Sequence, residues 1–164
     1  MTEIQKTVNA TALQRCLDAA YRYLTYRARS EAELKQHLRG RGFSTEVLEE
    51  TIARLKEQSL IDDLAFAQFW RDNRLSSNPK SKRMIAQELK EKKVSQETIE
   101  QVTENIDDEE NAYRLGRRRI HMFADPEYPN FQRKLSNFLA YRGFSYDVIR
   151  QTISRLWQEK QGKT

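Results

Sequence analysis

A motif written twice, about a hundred residues apart, constrains this chain more than any other feature. Residues 34–55 read LKQHLRGRGFSTEVLEETIARL, and residues 135–156 read LSNFLAYRGFSYDVIRQTISRL. Leu34, Leu38, Gly42, Phe43, Ser44, Val47, Thr51, Ile52, Arg54 and Leu55 recur as Leu135, Leu139, Gly143, Phe144, Ser145, Val148, Thr152, Ile153, Arg155 and Leu156. A fainter copy lies between them in Ile85, Leu89, Val94, Ser95, Ile99 and Ile106. One helical unit, repeated, is the natural reading, and function belongs on the surface that repetition creates.

Apolar spacings of three and four residues give three cycles of three helices, and no polar/apolar alternation marks a strand. The expected fold is all-α, with tandem repeats of three-helix units forming an elongated, curved array. Residues 1–9 read as a flexible N-terminus, 10–61, 62–106 and 107–160 as the three units, and 161–164 as a disordered tail. The first helix is expected from Ala10 to Arg29, with Leu13, Leu17, Ala20, Tyr21 and Leu24 on its buried face. Each trio is too small to be very stable alone, so neighbours must pack together.

Caps and turns punctuate the units. Ser30 with Glu33 makes a capping box, Ser44 and Ser145 cap third helices, and Asp62 and Asp63 are N-cap candidates at a helix start. Gly42 and Gly143 can take the left-handed conformation that closes a helix, while Phe43 and Phe144 staple two helices together. The middle copy has Lys93-Val94 in place of Gly-Phe, which implies a strained or differently shaped turn there.

The chemistry available is thin. His37 and His121 are the only histidines and Cys16 is the only cysteine, so there is no adequate zinc set and no internal disulfide. His37 stands where Phe138 stands in the later copy, as a partly buried helix residue does. No phosphate-cradling loop of the G-x-x-x-x-G-K-[ST] type occurs, and the paired acids are explained by capping. The reading is a protein that is not an enzyme and needs no cofactor or metal. Nothing approaches the roughly 20 apolar residues of a membrane span. A cytoplasmic monomer with no membrane partner is expected.

Charge is the better lead. The formal net charge is +5, and it is segregated. Residues 71–93 hold Arg71, Arg74, Lys80, Lys82, Arg83, Lys90, Lys92 and Lys93 against three acids, and residues 114–155 hold nine Lys/Arg against three. Such segregation suits a polyanion, nucleic acid before membrane. On a helix, Arg114, Arg117 and Arg118 can share a side. Lys80, Lys82 and Arg83 lie at a break and a helix start, where free N–H groups add to phosphate affinity. The aromatics Phe66, Phe69, Trp70, Tyr113 and Phe123 fall at helical spacing and read mostly as core. Nucleic-acid contact would then be phosphate-led and salt-sensitive, with no sequence-reading helix.

The residues that carry a resemblance are LTYRARSEAELKQHL (Leu24 to Leu38), LIDDLAFAQFWRDNR (Leu60 to Arg74), RMIAQEL (Arg83 to Leu89) and KLSNFLAYRGF (Lys134 to Phe144). Over residues 12–158 the chain resembles the RecX family of bacterial recombination regulators; Lys93, where that family commonly has Gly, is the departure. The resemblance implies a regulator that binds RecA nucleoprotein filaments, in the groove or at the end, and restrains strand exchange, ATPase and coprotease activities, thereby regulating DNA repair and recombination. It also implies contact with single- or double-stranded DNA. The candidate DNA or filament contacts are Arg27, Arg71, Arg74, Lys80, Lys82, Arg83, Lys90, Arg114, Arg117, Arg118, Lys134 and Arg142. The alternative is a stand-alone, sequence-tolerant architectural DNA-binding protein.

Overall fold

The computed structural model describes residues 3–162. The expected tail at 161–164 and the expected N-terminal segment 1–9 lie partly outside those residues. The helices are α1 (Glu3–Tyr26), α2 (Glu31–Gly40), α3 (Thr45–Glu57), α4 (Asp63–Ser76), α5 (Lys82–Glu91), α6 (Gln96–Thr103), α7 (Asp108–Arg118), α8 (Tyr128–Tyr141) and α9 (Tyr146–Gln161), with a 3-10 turn at Ile120–Phe123. No strand occurs among the described residues. The fold is all-α and built of tandem three-helix repeats, as the sequence implied.

Helix α1 begins at Glu3 rather than Ala10, because no Gly or Pro interrupts the N-terminal stretch. It stops at Tyr26, short of Arg29, where Arg27 turns its guanidinium to Ala28 O (2.9 Å) and Glu33. Of the expected face, Leu17 and Ala20 are buried and Leu13 and Leu24 pack against the core with Cys16 and Ala19, whereas Tyr21 is exposed and donates to Gln58 Oε1 at 3.0 Å. The first helix of the third repeat ends at Arg118 and gives way to the 3-10 turn that buries Phe123.

Packing divides the molecule into two compact units. One comprises the chain through Gln68 with Lys90–Thr98, the other Phe69–Leu89 with the chain from Ile99 onward. The middle repeat thus supplies residues to both. In the first unit Cys16, Leu17 and Ala20 meet Leu34, Leu38, Leu48, Ile52 and Leu55. In the second, Leu115, Phe131, Leu135, Leu139, Phe144, Ile153 and Leu156 form the corresponding core. Each fully buried leucine contributes about 1.5–3 kcal/mol.

The turn after the middle helix of each repeat keeps one shape. Gly42, Lys93 and Gly143 have φ of +82°, +59° and +84°, and each donates its N–H at 2.9 Å to the carbonyl three residues back. Lys93 therefore does not reshape its turn. It holds a side chain in the left-handed region, at a cost of about 1–2 kcal/mol.

The turns are also where repeats join. Ser30 Oγ accepts the Glu33 N–H at 3.2 Å and donates to Lys92 O at 2.8 Å. One repeat later, Ser81 Oγ accepts the Met84 N–H at 3.2 Å while the Ser81 N–H donates to Arg142 O at 3.0 Å. In both cases the start of one middle helix sits on the C-terminal turn of the next, so helix dipoles meet head to tail. Two aspartates add a second bond: Asp63 Oδ1 accepts the Glu31 N–H at 2.9 Å, and Asp108 Oδ1 accepts the Lys82 N–H at 2.7 Å. Capping of α4 and α7 falls to Asp62 and Asp107, which accept the Ala65 and Glu110 N–H groups at 3.0 Å. The Ser30–Lys92 junction lies within the first unit and the Ser81–Arg142 junction within the second.

Candidate polyanion-binding site

The second unit gathers cationic side chains around the loop between α4 and α5. Four arginines reach oxygens of that loop or of the last turn of α4 before it. Arg142 Nη1 donates to Asn78 O at 3.1 Å, Arg119 Nη2 to Asn78 Oδ1 at 3.4 Å, Arg118 Nη2 to Ser77 O at 3.5 Å and Arg114 Nη2 to Leu75 O at 3.4 Å. These carbonyls close a helix end and would otherwise face solvent, so the loop collects donors. Pro79, fully buried, anchors it.

Arg74 and Lys80 complete the cluster from the other side. Both pair with Glu88, Arg74 Nε at 2.7 Å, and the Trp70 indole donates to the same carboxylate at 2.8 Å. The Arg74 guanidinium lies 4.5 Å from the Trp70 ring centroid. Burial alone would raise the Glu88 carboxyl, but the hydrogen bonds from Lys80, Arg74 and Trp70 outweigh it and hold the group below the usual carboxylate range. Among the described residues Arg142 pairs with no such acid. Burial and then the nearby Arg119 charge lower its pKa, and its Nε is buried without a partner. Cations crowded this way gain from an anion. A groove of about 280 Å³ opens here, lined by Asn73, Arg74, Ser77, Asn78, Lys80, Met84, Tyr141 and Arg142. Tyr141 is 81% exposed on its rim.

The structure thus brings together Arg74, Lys80, Arg114, Arg118 and Arg142 from the candidates. Arg117 leaves the group, donating instead to Tyr113 OH at 3.3 Å, so Arg114, Arg117 and Arg118 do not share a side. Arg71 is held by Asp72 (2.8 Å) and Val102 O (3.1 Å), and Lys134 by Asp125 (3.0 Å). Lys82 contributes its backbone N–H to the repeat junction, and its ammonium reaches Glu104 O at 3.5 Å. Arg83 is exposed. Lys90 and Arg27 belong to the first unit, where Lys90 is exposed and Arg27 pairs with Glu33 at 2.8 Å.

Sequence reasoning missed two members, Arg119 and Tyr141. Arg119 reaches the loop because α7 ends at Arg118 and the chain turns there. Tyr141 had one signal, an aromatic immediately before R-G-F where the first copy has Gly40. Of the aromatics read as core, Phe66, Tyr113 and Phe123 are buried, Trp70 is half-buried and Phe69 is half exposed. Among the described residues no group of three or more His, Cys, Asp or Glu could hold a metal ion. His37 lies stacked on Tyr23, ring centroids 3.9 Å apart, as a partly buried helix residue. No described helix is long and apolar enough to cross a membrane.

Comparison with known proteins gives matches along the whole array. Residues 16–55, 62–102 and 107–153 match the models for the first, second and third three-helix domains of RecX. The chain is 32% identical over 139 residues to the Regulatory protein RecX of Chlorobium limicola, covering 85% of this chain and 87% of that one. It is 35% identical over 150 residues to the Regulatory protein RecX of Mycolicibacterium smegmatis, covering 85% and 80%. The crystal structure of RecX from Lactobacillus salivarius superposes with a TM-score of 0.76 at 25% identity, covering 90% of this chain and 97% of that one.

Proposed function

The chain belongs to the RecX family of regulatory proteins, and from that premise we propose that it binds RecA nucleoprotein filaments and restrains RecA's strand exchange, ATPase and coprotease activities. It acts by occupancy rather than by chemistry of its own, as a cytoplasmic monomer. The observation that carries the reading is the cationic cluster of Arg74, Lys80, Arg114, Arg118, Arg119 and Arg142 in the second unit, which suits the phosphates of filament-held DNA or an acidic filament surface. Guanidinium groups held by loop carbonyls keep remaining donors for such contacts, and phosphates bind them in bidentate fashion.

The test is binding to single- and double-stranded DNA, bare and as preformed RecA filaments, across a salt series. The reading expects tighter binding to filaments than to the same DNA bare, with RecA ATPase falling as filaments become occupied. Equal affinity for bare DNA, with log affinity falling steeply with log salt, would make the chain a stand-alone DNA-binding protein instead. Unchanged filament ATPase at saturating protein would also defeat the reading.

A further inference from the structure

The turn after α2 is a junction surface on which none of the described residues is seated. Its two counterparts are filled: Lys92 O receives the Ser30 hydroxyl, and Arg142 O receives the Ser81 N–H. A Cβ placed on Gly143 would lie 2.7 Å from Ser81 Oγ and 3.1 Å from Met84 Cβ, whereas one placed on Gly42 meets nothing within 4 Å. Among the described residues nothing donates to Arg41 O. Beside this turn a pocket of about 530 Å³ opens within the first unit, and Arg15, Asp18, Arg22, Arg41 and Phe43 are among its lining residues. Three arginines face one carboxylate there, and Asp18 already accepts from Gln14 at 3.0 Å. Arg15 and Arg41 are both exposed, and the Arg41 charge lies close enough to His37 to help lower its pKa.

We propose that this turn and pocket form a docking site for the first turn of a partner protein's helix, one that starts with Ser or Thr and carries carboxylates at the next positions. The filled junctions define the geometry: a helix start donates a hydroxyl or N–H to the C-terminal carbonyl of the turn. Charge defines the rest. First turns favour Asp and Glu because those side chains offset the helix dipole, and Arg15, Arg22 and Arg41 surround the place where they would fall. Ser30 with Glu31 and Glu33 shows the same combination in this chain, already engaged with Lys92. The proposal stands apart from the filament reading, since it involves none of the cationic cluster in the second unit.

The experiment uses the full chain and a fluorescein-labelled 14-residue peptide that begins Ser-Glu-Ala-Glu and continues as an alanine-rich helix, followed by anisotropy. Saturable binding is expected. It should weaken about tenfold in Arg15→Glu/Arg41→Glu, the loss of two exposed ion pairs and their reversal. It should also be abolished by Ala12→Trp, which fills the pocket from α1, and be unchanged in Arg118→Glu, with helicity by circular dichroism equal throughout. The proposal fails if a peptide with Gln for Glu binds as well, if neither pocket variant weakens binding, or if a DNA oligonucleotide displaces the peptide. It fails equally if sedimentation shows a dimer that Ala12→Trp dissolves, which would give the pocket to a second copy.

Discussion

Arg-Gly-Phe-Ser occurs at 41–44 and at 142–145, and the two copies do different work. The backbone is the same, with Gly42 and Gly143 at φ of +82° and +84°. Around Gly143, Ser81 and Met84 occupy the space that a Cβ would take, and Arg142 O is taken by Ser81. Around Gly42 the same atoms are open. A repeat's turn thus serves first to end a helix and second to receive its neighbour, and the second role depends on position in the array.

Substitution separates the two roles. Gly143→Ala combines a left-handed alanine with overpacking against Ser81, and should cost about 2–4 kcal/mol in urea denaturation of the full chain. Gly42→Ala meets only the backbone penalty, about 1–2 kcal/mol. Equal losses at the two sites would mean that the Ser81 contact carries no energy.

Acid titration tests the junction in the first unit. Burial pushes the Glu33 carboxyl up, but hydrogen bonds from Arg27, Lys92 and the Ser30 N–H outweigh it and lower the group from 4.5 to about 2. A folded-state pKa below the unfolded one gives stability that is present above pH 4.5 and lost as pH falls toward 2. Glu33→Gln should therefore flatten the acid limb of the stability profile across that window. Asp63 and Asp108 act with the opposite sign. Burial raises both carboxyls against the lowering effect of the Glu31 and Lys82 N–H groups, so they withdraw stability as pH rises from 3.8 through their folded values. Their asparagine variants should lose that slope and keep the hydrogen bond through the amide oxygen.

The smallest expected effect is a gain. Lys93→Gly relieves a left-handed lysine at the middle copy of the turn and should stabilise by about 0.5–1 kcal/mol, after the glycine's extra unfolded-state freedom is deducted. A loss in the same denaturation experiment would show that the Lys93 side chain contributes a contact beyond its conformation.

The repeat made most of the fold legible, because caps, left-handed turns and apolar spacing are local signals. Ser30, Ser44 and Ser145 cap the helices assigned to them, and Gly42 and Gly143 close theirs. What was not legible depends on neighbours. Asp62 and Asp63 look alike as cap candidates, yet Asp62 caps α4 while Asp63 reaches back to α2. Lys93 reads in the sequence as a strained or differently shaped turn; the turn is strained but keeps the glycine shape, since hydrogen bonds and the following Val94 burial hold it there. For the site, clustered charge pointed to residues 71–93 and 114–155, and the structure brings Arg74, Lys80, Arg114, Arg118 and Arg142 of those segments together. Charge could not tell that Arg117 turns to Tyr113 while Arg119 turns to Asn78, because that choice is set by where α7 ends.

The cationic cluster of the second unit is the surface proposed to meet the filament. The most direct test measures binding to RecA filaments against salt for the wild-type chain, for Arg114→Gln/Arg118→Gln in the cluster, and for Arg133→Gln/Arg150→Gln outside it. With both arginines on phosphates, the cluster pair should reduce the log–log salt slope by about 1.4–1.8 and the outside pair should leave it unchanged. Equal slopes and affinities for all three proteins would contradict the account.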